Sequence, residues 1–319
     1  MKSKSTQTKI HLLGKTGNKL PEIAGTTLIN PFILSGAKMW TLALILGLFI
    51  LSASQTIAQT YTSVTPGGNW NNSGTWTPVG VPSAGSIVNI TTVGPVTVTA
   101  NTATVLDLLI EGLLDAGTFA VSGTRTFYVS ATSTLLVGGT NNFPAGFSTY
   151  FINTGSTINY NNDGNQTIKD VSYGNLIFSN SGIKAMPASS ISVAGNFTMR
   201  GSATATLSYP LTVSGFTTLT GTSMLTLGAP NVLSNSGAIT LDGGTFRTGA
   251  TTGNSETVGA LTVDNASTIA LGTGAHTLTF AASNALIWSG TSLTITGWTG
   301  TAGASGTAGK IFFGNSAGT

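Results

Sequence analysis

Beyond residue 59 the chain is written in short runs where apolar and polar residues alternate. The clearest are Ser86–Thr91 (SIVNIT), Thr126–Ala131 (TFYVSA), Ser133–Gly139 (STLLVGG), Ser156–Asn162 (STINYNN), Asn175–Ser181 (NLIFSNS), Pro210–Gly215 (PLTVSG), Ala260–Ala266 (ALTVDNA) and His276–Ala282 (HTLTFAA). Period-two runs of this kind, bounded by Gly, Asn, Ser and Pro, predict β-strands separated by tight turns. Only Val105–Gly117 (VLDLLIEGLLDAG) is dense enough in apolar residues to suggest a helix. Its strand-like neighbours and Gly112 favour two short strands instead.

The strands repeat. Leu211, Leu225, Ile239, Leu261, Leu278 and Leu293 each open an [LI]-T-[VLIF] unit. Successive units start about 14 to 22 residues apart, too close to be domains, and imperfect repetition at this scale is the pattern of a solenoid. The expected fold is therefore all-β: a right-handed parallel β-helix with irregular short rungs. Residues 60–100 are expected to form an N-terminal capping region and residues 101–319 the repeats. A series of β-sandwiches shares the strand lengths and turn chemistry and is the rival architecture. Thr and Ser on the outer face would stack in register from rung to rung, giving a polar surface without charge. Residues 296–310, TGWTGTAGASGTAGK, have little to pack and are expected to be a loop or a fraying end.

The segment before Gln59 differs in kind. Lys38 precedes an apolar run over about 42–51, followed by a small, polar segment ending in Thr56-Ile57-Ala58. This is the layout of a secretory signal helix, and its apolar run falls well short of the roughly 20 residues needed to span a bilayer. Residues 1–58 are thus expected to be an export leader, and the protein to be secreted or extracellular, with possible attachment at the cell surface.

Composition narrows the chemistry. Charged residues are 7% of the chain, cysteine is absent, and the two histidines are His11 and His276. Thiolate metal sites and disulfides are excluded, and histidine pairs nearly so. The formal charge of +3 is misleading, because six of the twelve basic residues but only Glu22 among the acidic ones precede residue 59. The remainder has six basic and eight acidic side chains, a formal −2, with no basic patch, so nucleic acid is not an expected partner. The acidic residues Asp107, Glu111, Asp115, Asp163, Asp170, Asp242, Glu256 and Asp264 are scattered, with no evident acid/base pair or calcium site. No catalytic residue, metal or cofactor is expected.

The chain carries Gly68-Asn69-Trp70, Thr75-Trp76, Val81-Pro82 and Gly85–Ile90, and the repeat-like unit Asp163–Thr198. In these stretches it resembles the repeat-rich secreted surface proteins, adhesin-like in character, of Bacteroidetes-type bacteria, with Ser86 in place of the usual Asp. The resemblance implies a parallel β-helix passenger region delivered through export machinery to the cell surface or outer membrane. A C-terminal sorting domain usually follows in that group and is not recognisable here, so the chain is expected to lack its natural continuation.

Aromatic residues are the candidate contacts. Trp70 and Trp76 flank an Asn-Asn-Ser-Gly turn, and would either seal the first rung or offer a platform to a glycan. Phe143, Phe147 and Tyr150, with Tyr128 and Phe151 nearby, would form either a local hydrophobic cluster or a bulging contact loop. Trp288 and Trp298 read as packing residues. The expected function is a non-enzymatic structural or adhesive protein that meets a glycan, matrix component or neighbouring cell-surface protein. A carbohydrate-active β-helix enzyme (polysaccharide lyase or hydrolase) or a glycan-binding module is the alternative, and an envelope anchor held by an uncleaved signal is a third.

Overall fold

Alternation in the sequence becomes alternation in burial. In Ile87–Ile90, Thr134–Val137, Thr157–Tyr160 and Asn175–Phe178 every second side chain is buried. In the computed structural model, which describes residues 57–91, 94–301 and 306–314, these strands stack as the rungs of a parallel β-solenoid of about nine turns. Among the described residues the only helix is a 3-10 turn at Ser73–Thr75. The predicted signal helix lies outside the described residues. Val105–Gly117 forms two strands, Val105–Ile110 and Leu113–Asp115.

One face is a continuous parallel sheet of ten strands, from Gly68–Asn69 to Leu261–Asn265. Its register stacks Leu135, Ile158, Leu176, Phe197, Thr217, Ile239 and Leu261 in one inward column. A second column runs Tyr160, Phe178, Met199, Leu219, Leu241 and Val263. Outward between them stand Thr198, Thr218, Thr240 and Thr262, the polar, uncharged ladder expected from the composition.

The true repeat differs from the motif spacing. Along the inward column one rung runs from Ile158 to Leu176 and a longer one from Leu135 to Ile158. Of the six motif-opening residues, only the consecutive pair Ile239 and Leu261 are register partners. The others lie outside the ten-stranded sheet, Leu225 and Leu293 sharing a second sheet without pairing with each other and Leu211 and Leu278 on further strands, because every face of a solenoid needs the same apolar-Thr-apolar triplet. The shortest motif spacings, Leu211 to Leu225 and Leu225 to Ile239, therefore fall short of a full rung: Thr217–Thr220 of the ten-stranded sheet lies within the first, and Leu233, which bridges to Leu211, within the second.

The other faces change along the chain. A six-stranded sheet (Thr60–Ser63, Trp76–Thr77, Ile87–Ile90, Val105–Ile110, Gly123–Val129 and Thr149–Ile152) serves the early rungs and ends at Thr149–Ile152. Later rungs use a five-stranded sheet, from Thr204–Leu207 to Leu293–Thr296, and a three-stranded one of Glu256–Val258, His276–Phe280 and Gly309–Phe313. Parallel stacking begins at Thr60–Ser63, which pairs with Ile87–Ile90. Trp76–Thr77 pairs antiparallel to Thr60–Ser63 and closes that sheet's first edge, a device that stops further strands from adding.

Corners require special residues. Asn180, Gly201, Gly221 and Gly243 stack above one another with φ of 63°, 65°, 67° and 96°. A Cβ on Gly201 would sit 2.3 Å from the carbonyl oxygen of Asn180, so the left-handed backbone and the rung spacing both demand glycine there. At another corner, amide side chains bridge rungs: Asn175 Oδ1 accepts from the Asn196 N–H and Asn196 Oδ1 from the Phe216 N–H, both at 2.9 Å.

Candidate functional site

The opening stretch folds inward. Asn69 Oδ1 accepts from the Asn71 N–H at 2.8 Å and Asn72 Oδ1 from the Gly74 N–H at 2.9 Å, two Asx turns that send the chain back on itself. The return brings Trp70 and Trp76 edge to face, ring centroids 5.1 Å apart, and Trp76 Nε1 donates to the Trp70 carbonyl at 2.8 Å. Their exposures are 0% and 1%. Stacking on a sugar needs an open ring face, so the platform reading of this pair is corrected: both indoles belong to the core of the first rung.

Phe143 and Phe147 are likewise buried, at 6% each. They surround Phe127, with centroids at 5.6 and 5.5 Å, and Tyr150 joins at 5.6 Å. From Phe127 an aromatic spine continues through Phe143, Tyr160 and Phe178 to Phe197. The contact-loop reading of Phe143 and Phe147 is corrected for the same reason. Tyr150 is half-buried, its hydroxyl donating to the Pro144 carbonyl at 3.1 Å, with Lys169 Nζ over its ring at 5.4 Å. Gly123 makes room for this cluster, since a Cβ there would meet Phe147 at 1.9 Å.

Trp288 and Trp298 are 40% and 42% exposed. Trp288 lies outside any strand, held by a hydrogen bond from Nε1 to the Leu261 carbonyl at 2.8 Å.

Two carboxylates, Asp107 and Glu256, are spent on the fold. Asp107 forms a bidentate pair with Arg125, Nε donating to Oδ1 at 2.8 Å and Nη2 to Oδ2, and accepts the Thr126 N–H at 3.0 Å. These bonds, the Arg125 ones foremost, hold its carboxyl below the usual range. It is the one ion pair among the described residues. Arg125 reaches Asp107 because an extra residue bulges Gly123–Val129 against Val105–Ile110. Glu256, 2% exposed, accepts the Val232 N–H at 2.7 Å and the Leu233 N–H at 3.3 Å, supplying acceptors where the neighbouring rung forms no strand. Burial raises its carboxyl pKa.

Two further buried networks are internal braces. His276 is 5% exposed, with Nδ1 2.9 Å from the Gly274 carbonyl and Nε2 2.8 Å from Thr248 Oγ1. The Gly274 carbonyl can only accept, so in the neutral ring Nδ1 carries the proton and Nε2 accepts from the Thr248 hydroxyl, whose oxygen also accepts the Gly272 N–H. Tyr160 and Tyr173 clamp one peptide: the Lys169 N–H donates to the Tyr160 hydroxyl at 3.0 Å and the Tyr173 hydroxyl donates to the Lys169 carbonyl at 2.5 Å. Burial raises both phenols. No group of three or more His, Asp or Glu among the described residues is placed to hold a metal ion.

What remains outside is a ladder on the six-stranded sheet. The register aligns Asn89, Leu109, Tyr128 and Phe151 on four successive strands, all outward. Phe151 is 57% exposed, and Leu109 and Tyr128 are half-buried. Alternation against the buried Leu108, Phe127 and Val129 was the signal for their direction; only the rung register aligns them. Against protein-family models, curated proteins and solved structures the chain finds no match.

Proposed function

We propose that the chain is the non-enzymatic, adhesive rod of a secreted or cell-surface protein, of the kind its opening motifs resemble. The carrying observation is the ten-stranded parallel sheet, one hydrogen-bonded face running through the solenoid with an uncharged threonine ladder outside. A repeat structure of this kind is stiff along its axis and repeats its outer surface at about 4.8 Å intervals, which suits many weak contacts acting together. The two buried carboxylates, Asp107 and Glu256, are committed to Arg125 and to backbone N–H groups, which supports a binding role over hydrolysis or elimination. The leader pattern before Ala58 supports export.

The test is retention of beads carrying the full chain on surfaces coated with glycans, matrix proteins or intact bacterial cells, against albumin-coated beads. Retention above albumin on one or more surfaces is expected. Equal retention on all of them removes the adhesive reading.

A further inference from the structure

Building on the adhesive reading, we infer that the outer face of the six-stranded sheet is a carbohydrate-contact site for a neutral oligosaccharide, centred on Leu109, Tyr128 and Phe151. The three side chains are register partners on consecutive rungs, so two steps of about 4.8 Å make an apolar strip roughly 10 Å long and one side chain wide. The strip has polar borders on both sides. On the side nearer the strand starts lie Asp107, Thr126 and Thr149. On the other side lie Glu111, Ser130 and Asn153, which keep the same rung register through N–H bonds to the Ile90, Ile110 and Val129 carbonyls. The Glu111 carboxylate, the Asn153 amide and the Tyr128 hydroxyl are hydrogen-bonded to no described residue.

That geometry selects its occupant. A protein partner of ordinary affinity covers about 800 Å² of each surface around a wide apolar centre, and a strip one residue across does not supply it. Anionic lipid or nucleic acid needs net positive charge, but Arg125 beside the strip is neutralised by Asp107, and Glu111 adds a negative charge. A sugar chain presents what fits: ring faces of C–H groups for Tyr128 and Phe151, and rim hydroxyls for Glu111, Asn153 and the Tyr128 hydroxyl. The same negative charge disfavours uronates. Beyond Phe151 the six-stranded sheet adds no further strand.

The experiment titrates the full chain with cellohexaose, chitohexaose, laminarihexaose and, as the acidic comparator, hexagalacturonate. The native chain is compared with Tyr128→Ala/Phe151→Ala and with Phe216→Ala, which removes a ring 61% exposed in the turn between Leu211–Val213 and Thr217–Thr220. Unchanged melting of the variants establishes that they fold. We expect the native chain to bind one or more neutral hexasaccharides, with affinity lowered about tenfold or more in the double variant, the scale of losing a central aromatic contact, and unchanged in Phe216→Ala. Equal binding by native and double variant overturns the site while leaving the adhesive rod intact. Binding of hexagalacturonate alone overturns the neutral class. Absence of all four interactions, with beads still retained in the adhesion assay, overturns the carbohydrate assignment but not the rod.

Discussion

Lys184 gives the fold a measurable alkaline signature. Its side chain is fully buried and in register with Gln166 on the rung before. Nζ donates to Gln166 Oε1 at 2.7 Å and to the Asn162 carbonyl at 2.9 Å, with no carboxylate in ion-pair reach among the described residues. Burial without a partner charge pushes its pKa down to about 8 from 10.5, slightly opposed by the more distant Asp163. The sign follows directly. Between those values the unfolded chain holds a proton that the folded chain has released, so stability rises with pH across that window. The full effect is about 3 kcal/mol at about 1.4 kcal/mol per pKa unit, of which about 2 kcal/mol falls between pH ~7 and ~9.5. Above the ordinary tyrosine value of 10.0 the slope reverses, because Tyr160 and Tyr173 have raised pKa values and ionise first in the unfolded chain. Urea unfolding followed by circular dichroism at successive pH values, for the native chain and Lys184→Met, isolates the contribution. Met keeps the packed stem and removes the titrating amine, so its stability between neutral pH and ~9.5 should lack the ~2 kcal/mol rise. Identical slopes in the two proteins would refute the assignment of a buried, desolvated amine at this position.

The two buried carboxylates should move stability in opposite directions. Asp107, with its lowered pKa, contributes stability that is present above its unfolded value of 3.8 and lost as pH falls through its folded value; Asp107→Asn should flatten the acid limb of a pH–melting curve. Glu256, with its raised pKa, favours the folded state most when protonated and loses that preference as pH rises above 4.5; Glu256→Gln, which keeps an acceptor for the Val232 N–H but sets an amide NH2 against the Thr257 N–H, should remove that pH-dependent loss from a pH–melting curve. Trp76→Ala should lower stability by about 3–5 kcal/mol and remove most near-ultraviolet ellipticity from the indole pair, read by denaturant titration. Gly123→Ala, which drives a methyl into the Phe147 ring, should destabilise by about 1–3 kcal/mol, and pairing it with Phe147→Leu should restore part of the loss.

Which features could be read before the structure depends on how local their cause is. Strand positions and the solenoid class follow from period-two alternation, a property of a few adjacent residues. Alternation also carried more than was drawn from it: Glu256 shares a face with the buried Val258, and His276 with the buried Leu278 and Phe280, so both inward positions were implied by their own strands. Rung length was not legible, since the same triplet serves several faces and nothing within it says which. Lys184 reverses the local rule altogether. In Gly182-Ile183-Lys184-Ala185 hydropathy alone turns Ile183 inward, yet Ile183 is 54% exposed and Lys184 is buried. The cause lies one rung earlier, where the inward Gln166 fixes a polar seat: its Nε2 is held by the Val137 and Gly139 carbonyls, and its Oε1, which accepts the Asn162 N–H at 3.0 Å, also faces the next rung. An apolar side chain above that oxygen would forgo the charge-assisted hydrogen bond from Lys184, a loss of about 1.5–3 kcal/mol comparable to burying isoleucine. The outer strip obeys the same logic. Leu109, Tyr128 and Phe151 each belong to a different rung, and only the bulge beside Arg125 and the resulting register make one surface of them. Contacts made between rungs are where this chain keeps the information that its local pattern does not contain.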